Sequence, residues 1–491
     1  MNYRKYIYCV LLLTAFSIQA HAQDATDALR YSYLSPMGTA RSIGFGSALG
    51  SIGGDFTSLS VNPAGIGIYR TSEFTITPSI RFNSTQGSYM NNTETDNNVR
   101  FNFNNIGMVF TNAAKGQRYD RSDWKSYSFG IGMTRLADFN RDYSYSGQNS
   151  GANSSSYSEL FALNATTTGD VSSGNTLGGR AYNAYLIDYD SASSQFLTRV
   201  PYKAGITQTH TVSERGGVNE VVFSFGGNYK EKLMLGATLG VPVINYTRNS
   251  TVTETALNPT ANFTGYSYNE QLSTRGTGID LKLGAIYKAT DNVRLGVAIH
   301  TPTYYSLHDE YQYTLNNTGY TPVQSDPGTY DYSLVTPWRA ILSATVIASK
   351  QGFITADYEF VNYSSAQFIL GGNDKDYQRQ INSDITNAYQ PTSIFRIGGE
   401  LKLTSFFMLR AGVGYYGSPY QSQFDNNNRI DISGGVGLHF DHMFVDFAYQ
   451  HIQYTNPDQF YALYYTNATI IENAYIKNSL NTVAVTVGFK M

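Results

Sequence analysis

The amino-acid sequence predicts an all-β fold: a transmembrane antiparallel β-barrel of about fourteen strands, with an N-terminal hatch or plug inside its lumen. Three observations carry that expectation. Apolar and polar residues alternate with a period of two from residue 72 onward, the connections alternate between short and long, and one face of the strands is free of charge. Composition agrees: charged residues make up 14% of 491, and 41 Tyr, 27 Phe and 45 Gly stand beside 13 Pro and 2 Trp. Past the N-terminus there is no run of about 20 apolar residues, so helical membrane spans are not expected. A formal charge of -3 gives no basic surface for nucleic acid.

Residues 1–22 read as a secretory leader. Arg4 and Lys5 precede an apolar core, Tyr6 to Ile18, and Ala20-His21-Ala22 has the small-x-small form of a cleavage site. The exported chain is then expected to begin near Gln23. The sole cysteine, Cys9, lies in the leader, so the exported chain has no thiol for catalysis, disulfides or zinc-thiolate ligation.

Residues 23–71 do not alternate and are expected to form the plug. The stretch from Gly38 to Asp55 is rich in glycine and small residues, which suits a chain threading a confined space. It leads to Asn62-Pro63-Ala64-Gly65-Ile66, where proline sets its own φ and restricts Asn62, giving a fixed turn.

Residues 72–491 are expected to form the barrel. In the first strand Phe74, Ile76, Pro78, Ile80 and Phe82 alternate with Glu73, Thr75, Thr77, Ser79 and Arg81; in the last, Val483, Val485, Val487 and Phe489 alternate with Thr482, Ala484, Thr486 and Gly488. Strands are expected at 72–83, 100–111, 124–136, 218–230, 232–247, 272–288, 292–304, 334–349, 352–362, 392–404, 406–417, 429–440, 442–454 and 479–490. The gaps at 231, 289–291, 350–351, 405 and 441 are tight, with 112–123 a longer member of that set. Those at 137–217, 248–271, 305–333, 363–391, 418–428 and 455–478 are long and polar, 137–217 being the longest. Short periplasmic turns opposite long external loops produce that parity, and a soluble sandwich has no reason for it.

Charges fall on the other face, on Arg81, Arg294, Arg339, Arg396, Arg410, Asp280, Lys282, Asp357, Glu359, Glu400, Asp431 and Asp446. A basic residue facing lipid at the midplane costs roughly 2–4 kcal/mol, so this face is the lumen. Arg81, Arg294, Arg339, Arg396 and Glu400 are expected to form a lumenal polar network, with His300 joining it beside the plug. Tyr229, Tyr246, Tyr287, Tyr304, Tyr415 and Phe489 suit interfacial girdles. Within 137–217, residues 157–165 and 180–197 read either as short helices forming an external lid or as a solvated loop.

No Gly-x-Ser-x-Gly elbow, His-Glu-x-x-His or phosphate-binding loop is present, and the reading is of a non-enzyme with no catalytic residue, metal or cofactor. His439-Phe-Asp441-His442 spans a turn whose neighbouring side chains point to opposite faces, which favours a surface role over metal binding. A nucleophile, a base and an orienting group brought together from separate strands, as an outer-membrane hydrolase needs, are not indicated by spacing, nor does spacing exclude them.

The pattern Ala40-Arg41, Gly44-x-Gly46, Asp55 and Asn62-Pro63-Ala64-Gly65, placed before a first barrel strand, resembles the N-terminal region of the FadL-type outer-membrane transporters for hydrophobic compounds. The resemblance covers essentially the whole exported chain. It implies a hatch in the lumen with Phe45, Asn62, Pro63, Ala64, Gly65 and Ile66 along the ligand path, and with Asn62, Pro63 and Ala64 near the wall opening. It also implies a pocket for a fatty acid or aromatic hydrocarbon, and lateral exit through a kink in the third strand. Gly130 and Gly132 are the candidates for that kink, since interior glycine often marks a bend. The chain departs from the aromatic C-terminus of many such barrels by ending Phe489-Lys490-Met491.

The expected function is passive uptake of hydrophobic small molecules. The expected partners are outer-membrane lipid, lipopolysaccharide, the hydrophobic ligand and the outer-membrane assembly machinery, with the protein a monomer. The alternative is a scaffold or shuttle barrel of a protein secretion system, docking through its long loops.

Overall fold

The computed structural model describes residues 24–348, 351–372, 374–421, 427–465 and 468–491, and the expected leader lies outside them. Fourteen antiparallel strands form one closed sheet. They are β1 Glu73–Tyr89, β2 Asn92–Ala113, β3 Trp124–Asp138 with a continuation Arg141–Asn149, β4 Ile206–Tyr229 and β5 Leu233–Thr260. Next come β6 Phe263–Lys288, β7 Val293–His300 continued by Tyr304–Asn317, β8 Gly328–Val335 continued by Arg339–Ala348, and β9 Gly352–Asn362 continued by Gln367–Leu370. The last are β10 Pro391–Lys402, β11 Phe407–Tyr416, β12 Arg429–His439, β13 Met443–Tyr465 and β14 Ala468–Lys490. Closure is made by β1 on β14, from Glu73↔Lys490 to Ser88↔Tyr475.

Alternation sets the faces. Ile80, Phe82, Phe101, Phe129, Phe223, Leu283, Ile397 and Val483 point outward and are exposed, whereas Arg81, Asp280, Lys282, Arg339, Asp357, Glu359, Arg396, Arg410 and Asp446 point inward and are buried. Among the described residues no helix is long and apolar enough to cross a membrane; the crossing elements are strands.

Several expected features differ: Tyr304–Asn317 and Gly328–Val335 take up most of the expected loop 305–333, and Arg141–Asn149 and the start of β4 enter 137–217. The polar stretches 248–271 and 455–478 are not loops but the upper parts of the β5–β6 and β13–β14 hairpins. Thus β5 runs for 28 residues, about 90 Å at roughly 3.3 Å per residue, where about 9–11 residues cross lipid. The alternation is lost from view there because the outer face meets water instead of lipid, and the inner face mixes polar residues such as Ser250 and Glu254 with the aromatic core beneath the cap. Tyr246 is not in a girdle: even-numbered β5 residues face the lumen, and its hydroxyl donates to Glu214 Oε1 at 2.8 Å.

The core lies inside the barrel in three layers. At the short-turn end are the N-terminal segment, α1 Ala25–Ser32, α2 Ala40–Gly44, α3 Ser58–Val61 and a 3-10 turn, Pro63–Ile68, and, in the β2–β3 turn, α4 Gln117–Arg121. Asp24 and Asp27 close a capping box on α1. Above the lower plug, α1 packs on Tyr246, Tyr305, Tyr332 and Phe368 together with Ile381 and Ile385 of α7, Lys375–Ala388. At the long-loop end, the connection 150–205 folds α5 Ser158–Thr168 and α6 Leu177–Asn183 over the mouth. Phe161, Ala165 and Ala181 there meet Tyr145, Tyr266, Tyr268, Phe460 and Leu463 of the surrounding strands. The second expected helix, 180–197, ends at Asn183, and Ile187–Asp190 pairs with Gln195–Thr198 as a small hairpin instead.

The plug fits because the inner wall presents glycine where its backbone passes. A Cβ on Gly284 would stand 1.9 Å from Asn62 Oδ1, and one on Gly398 1.9 Å from the Phe45 carbonyl oxygen. Gly398→Val is therefore expected to push the plug off β10 at a cost of roughly 1–3 kcal/mol. The readouts are a lower heat-unfolding midpoint in detergent and a higher ion conductance across planar bilayers. If neither moves, the plug does not bear on this wall.

Candidate functional site: plug, lumen and wall seam

The predicted hatch residues are all buried, and they spread around the lumen rather than meeting at one point. Asn62 is a strut: its Nδ2 donates to Gly50 O at 2.6 Å and Val297 O at 3.3 Å, while its Oδ1 accepts from Ala64 N at 3.1 Å. That last bond and Pro63 hold the Pro63–Ile68 turn, as the sequence led one to expect. Pro63 and Gly65 lie against β5 and Gly53 respectively, Ala64 packs with Met234 and Ile286, and Ile66 faces Val109 and Val222. Phe45 meets Phe353 edge-on, ring centres 5.5 Å apart.

The five residues expected in a single polar network divide among separate anchor points, two of which, Arg339 and Arg294, grip plug backbone. Arg339 donates to Ser32 O and Leu34 O and pairs with Glu359 at 2.7 Å; Arg396 joins through Glu359 at 2.8 Å. Arg294 donates to Ile52 O at 3.1 Å. Glu400 sits between Arg41 of the plug (3.1 Å) and Arg410 of β11 (2.7 Å), and Arg410 also reaches Asp446 at 2.6 Å. Arg81 bonds Thr482 and touches Met37 Sδ. His300 Nε2 donates to Val61 O at 2.8 Å. Asp357 accepts Gly50 N at 3.0 Å, a tie that composition alone does not signal. Beside these groups a cavity of about 40 Å³ lies between Leu34, Ser60, Val61 and the wall residues Glu220, Lys282, His300 and Arg339. That volume suits a water or two, not a ligand.

Among the described residues the wall's ladder is interrupted between β2 and β3. The β2–β3 ladder runs only from Ala113↔Ser126 to Asn105↔Thr134. Beyond Thr134 the register of β3 against β4 slips between Arg135 and Ala137, and the strand breaks after Asp138. Asp138 Oδ1 accepts Asn140 N at 2.9 Å in an Asx turn, and Phe139 swings inward onto Tyr31 and Tyr246. The plug takes the vacated edge: Ser35 N donates to Leu136 O at 2.8 Å and Met37 N to Arg135 O at 2.9 Å. The continuation Arg141–Asn149 pairs only with β4 and passes behind the β1–β2 hairpin, where Thr85 Oγ1 donates to Asp142 O at 2.5 Å.

The break is not at the expected glycines. Gly130 and Gly132 sit in unbroken ladder opposite Val109 and Gly107. Their missing side chains make room for the plug, since a Cβ would stand 2.5 Å from Leu59 Cδ2 at Gly130 and 2.6 Å from Phe56 Cζ at Gly132. Nor do Asn62, Pro63 and Ala64 lie at the seam; they face β5 to β7, further round the wall. The signal for the true break was Asp138-Phe-Asn140-Arg-Asp142, which interrupts the alternation.

His439 points inward toward Asp446 at 3.5 Å, while Asp441 and His442 are exposed in the turn. A Ser-His-Asp chain does assemble in the upper barrel: His210 Nε2 is 2.7 Å from Ser250 Oγ, and Nδ1 is 3.3 Å from Asp458 and 2.7 Å from the Tyr145 hydroxyl. Ser250 is only 1% exposed, so a substrate has no approach to it and the cluster is a strut of the upper wall.

A closed barrel with an apolar outer belt and a plugged lumen defines an integral outer-membrane protein. The model of the family described as outer membrane protein transport protein (OMPP1/FadL/TodX) matches residues 211–459, just over half of the sequence, and the chain belongs to that family. Its structure is similar to that of a Pseudomonas aeruginosa FadL homologue (TM-score 0.55, 14% identity, 92% of this chain and 98% of that one). It is also similar to the Pseudomonas putida toluene transporter TodX (0.53, 13%, 92% and 97%) and the Ralstonia pickettii toluene transporter TbuX (0.52, 16%, 91% and 99%). At these identities the likeness is one of fold. No curated protein matches the sequence.

Two outcomes follow. Glu400→Gln leaves Arg41 and Arg410 facing each other without their shared carboxylate. Breaking such a buried pair is expected to cost about 3 kcal/mol, seen as a lower unfolding midpoint that Arg41→Met/Glu400→Leu partly restores. In the upper barrel, burial pushes the Asp458 carboxyl up, but hydrogen bonds from His210 and Tyr145 and the Arg248 charge hold it at about 2. A carboxylate lowered on folding stabilises above its ordinary value near 3.8 and loses that contribution as pH falls through about 2. Hydrogen exchange in 455–462 is expected to rise over that interval, and Asp458→Asn to abolish the dependence.

Proposed function

We propose that this protein carries hydrophobic small molecules, fatty acids or aromatic hydrocarbons, inward across the outer membrane by passive diffusion and releases them sideways through its wall. One observation carries the reading: plug and cap pack against lumenal side chains, while the wall lacks its backbone ladder between β2 and β3 above Asn105. A plugged lumen suits neither ions nor sugars, and an apolar solute gains nothing from an aqueous pore. A side exit lets it pass from an apolar interior to lipid without crossing water. The aromatic residues beneath α5 and α6 offer the first apolar surface on that route. Two of the similar structures are described as toluene transporters, which favours the same class of cargo.

The same proposal takes residues 1–22 as a cleaved leader, 23–71 as the hatch and 72–491 as the barrel. It has the chain inserted by the outer-membrane assembly machinery as a monomer among lipid and lipopolysaccharide.

Mass spectrometry of protein extracted from outer membranes is expected to find a bound fatty acid or hydrocarbon that competitors displace. Cells carrying the protein are expected to take up oleate or toluene several-fold faster than cells without it. Absence of any apolar ligand together with stable recovery of a protein partner would replace transport with the secretion-scaffold reading.

A further inference from the structure

We infer that the short-turn rim from β2 to β7 binds the phosphate of an anionic glycerophospholipid, such as phosphatidylglycerol, in the periplasmic leaflet; the inference goes beyond the cargo proposed above and does not depend on it. Three neighbouring turns carry it. The β2–β3 turn supplies Lys115, Arg118 and Arg121, the β4–β5 turn Lys230 and Lys232, and the β6–β7 turn follows Lys288. Backbone bonds join the turns into one plate: Lys230 N donates to Asp123 O and Lys288 N to Lys232 O, both at 2.7 Å. Three of the carboxylates there already have cations, Glu231 with Arg70 at 2.5 Å, Asp123 with Lys230 at 3.4 Å and Asp291 with Lys288 at 2.9 Å. Lys115, Arg118, Arg121 and Lys232 are exposed and make no ion pair among the described residues; Asp120 alone is left to set against them. Arg118 and Arg121 stand three apart on α4, where like charges repel. An external anion relieves that repulsion.

Depth selects a lipid over a soluble partner. Directly above the plate the outward residues Tyr127 and Phe129 of β3, Leu235 of β5 and Leu283 and Tyr287 of β6 are exposed and form the lipid belt. Lys232 stands three residues from Leu235, about 10 Å along a strand at roughly 3.3 Å per residue. A strand tilt of about 45° makes that about 7 Å along the membrane normal, and the headgroup layer is about 5–8 Å deep on each side. The cations therefore lie at the level of lipid phosphate. Aromatic rings mark the same level. The register of β3 against β4 slips between Trp124 and Ser126, and the Trp124 ring stacks on Tyr127 and meets Tyr229 edge-on, ring centres 5.3 Å apart in both pairs. Gly227 leaves it room, since a Cβ there would stand 3.0 Å from Trp124 Cζ3. Trp and Tyr gather at headgroup level in membrane proteins. A phosphate accepts from guanidinium and ammonium groups alike, and each cation near the surface adds to the attraction. The amine of phosphatidylethanolamine is repelled by the same cations, so the rim prefers a headgroup without one.

The chain has 2 Trp, which makes the test local. Trp124 lies on this rim, whereas Trp338 is exposed on the outer wall at the end of Arg339–Ala348 remote from the short turns. Trp338→Phe and Trp124→Phe each leave a single fluorophore. The probes are vesicles of phosphatidylethanolamine and phosphatidylglycerol in which one lipid or the other carries bromine on its acyl chains near the glycerol. Quenching of Trp124 is expected to favour phosphatidylglycerol about threefold, and quenching of Trp338 to show roughly equal weight for the two lipids. The preference at Trp124 is expected to vanish in about 0.5 M NaCl, which screens exposed charges. It is also expected to vanish after Arg118→Gln/Arg121→Gln/Lys232→Gln. Equal quenching of Trp124 by both lipids, or a preference that high salt or the triple variant leaves intact, overturns the inference. Native mass spectrometry of the parent protein needs no substitution: phosphatidylglycerol is expected to stay bound at collision energies that strip phosphatidylethanolamine, and loss of both together overturns the inference. Salt-sensitive capture of an acidic periplasmic protein without any lipid preference gives the rim to a protein partner instead.

Discussion

In hydrocarbon a backbone N–H or C=O has no water to turn to, and this constraint shapes the molecule. It forces the strands into a closed ladder, completed where β1 meets β14. Closure with alternating side chains then sends every second residue inward, so the charges that lipid excludes collect in the lumen. Once there they need partners, and the N-terminal segment supplies many of them. Arg294, Arg339 and His300 donate to its carbonyls, Asp357 accepts its N–H, and Glu400 meets Arg41. Plug and wall are thus each other's solvent.

The same accounting explains the seam. Where β3 leaves β2, part of its edge passes to plug backbone at Ser35 and Met37, and asparagine side chains bridge what is left. The wall remains satisfied, but by bonds that are local and separable. Further up, the strands leave the lipid zone and the aromatic cap closes the mouth, so the plugged lumen and the thin seam lie on one molecule at different heights.

Much of this was legible in the sequence. Strand number, lumenal charges and the Asn62-Pro63 turn all follow from period-two patterning and proline geometry, because lipid on one side makes the alternation stringent. The legibility ended where that stringency ended. Above the membrane, β5 and β6 continue as a hairpin through 248–271 with polar residues on both faces, and the stretch reads as loop. Gly130 and Gly132 read as a kink, yet they are clearances for Leu59 and Phe56, side chains distant in sequence that no local pattern reveals. The real break at Asp138-Phe139-Asn140 combines a local Asx turn, visible in principle, with the packing of Phe139 on Tyr31 and Tyr246, which is not.

The plug precedes β1 in the chain, yet it ends enclosed by a wall whose final pairing joins the first strand to the last. That order sets a problem of assembly. Residues made first must wait for contacts hundreds of positions later, such as Ala40 with Thr486 and Arg41 with Glu400. Such distant pairings are slow to form, because the intervening chain must be ordered before they reward it. A segment gripped from nearly every side is also too bulky to thread through a finished cylinder whose lumenal glycines leave it no slack. The barrel must therefore close around its own N-terminus, with the sheet curling over the plug as a mould closes on its core.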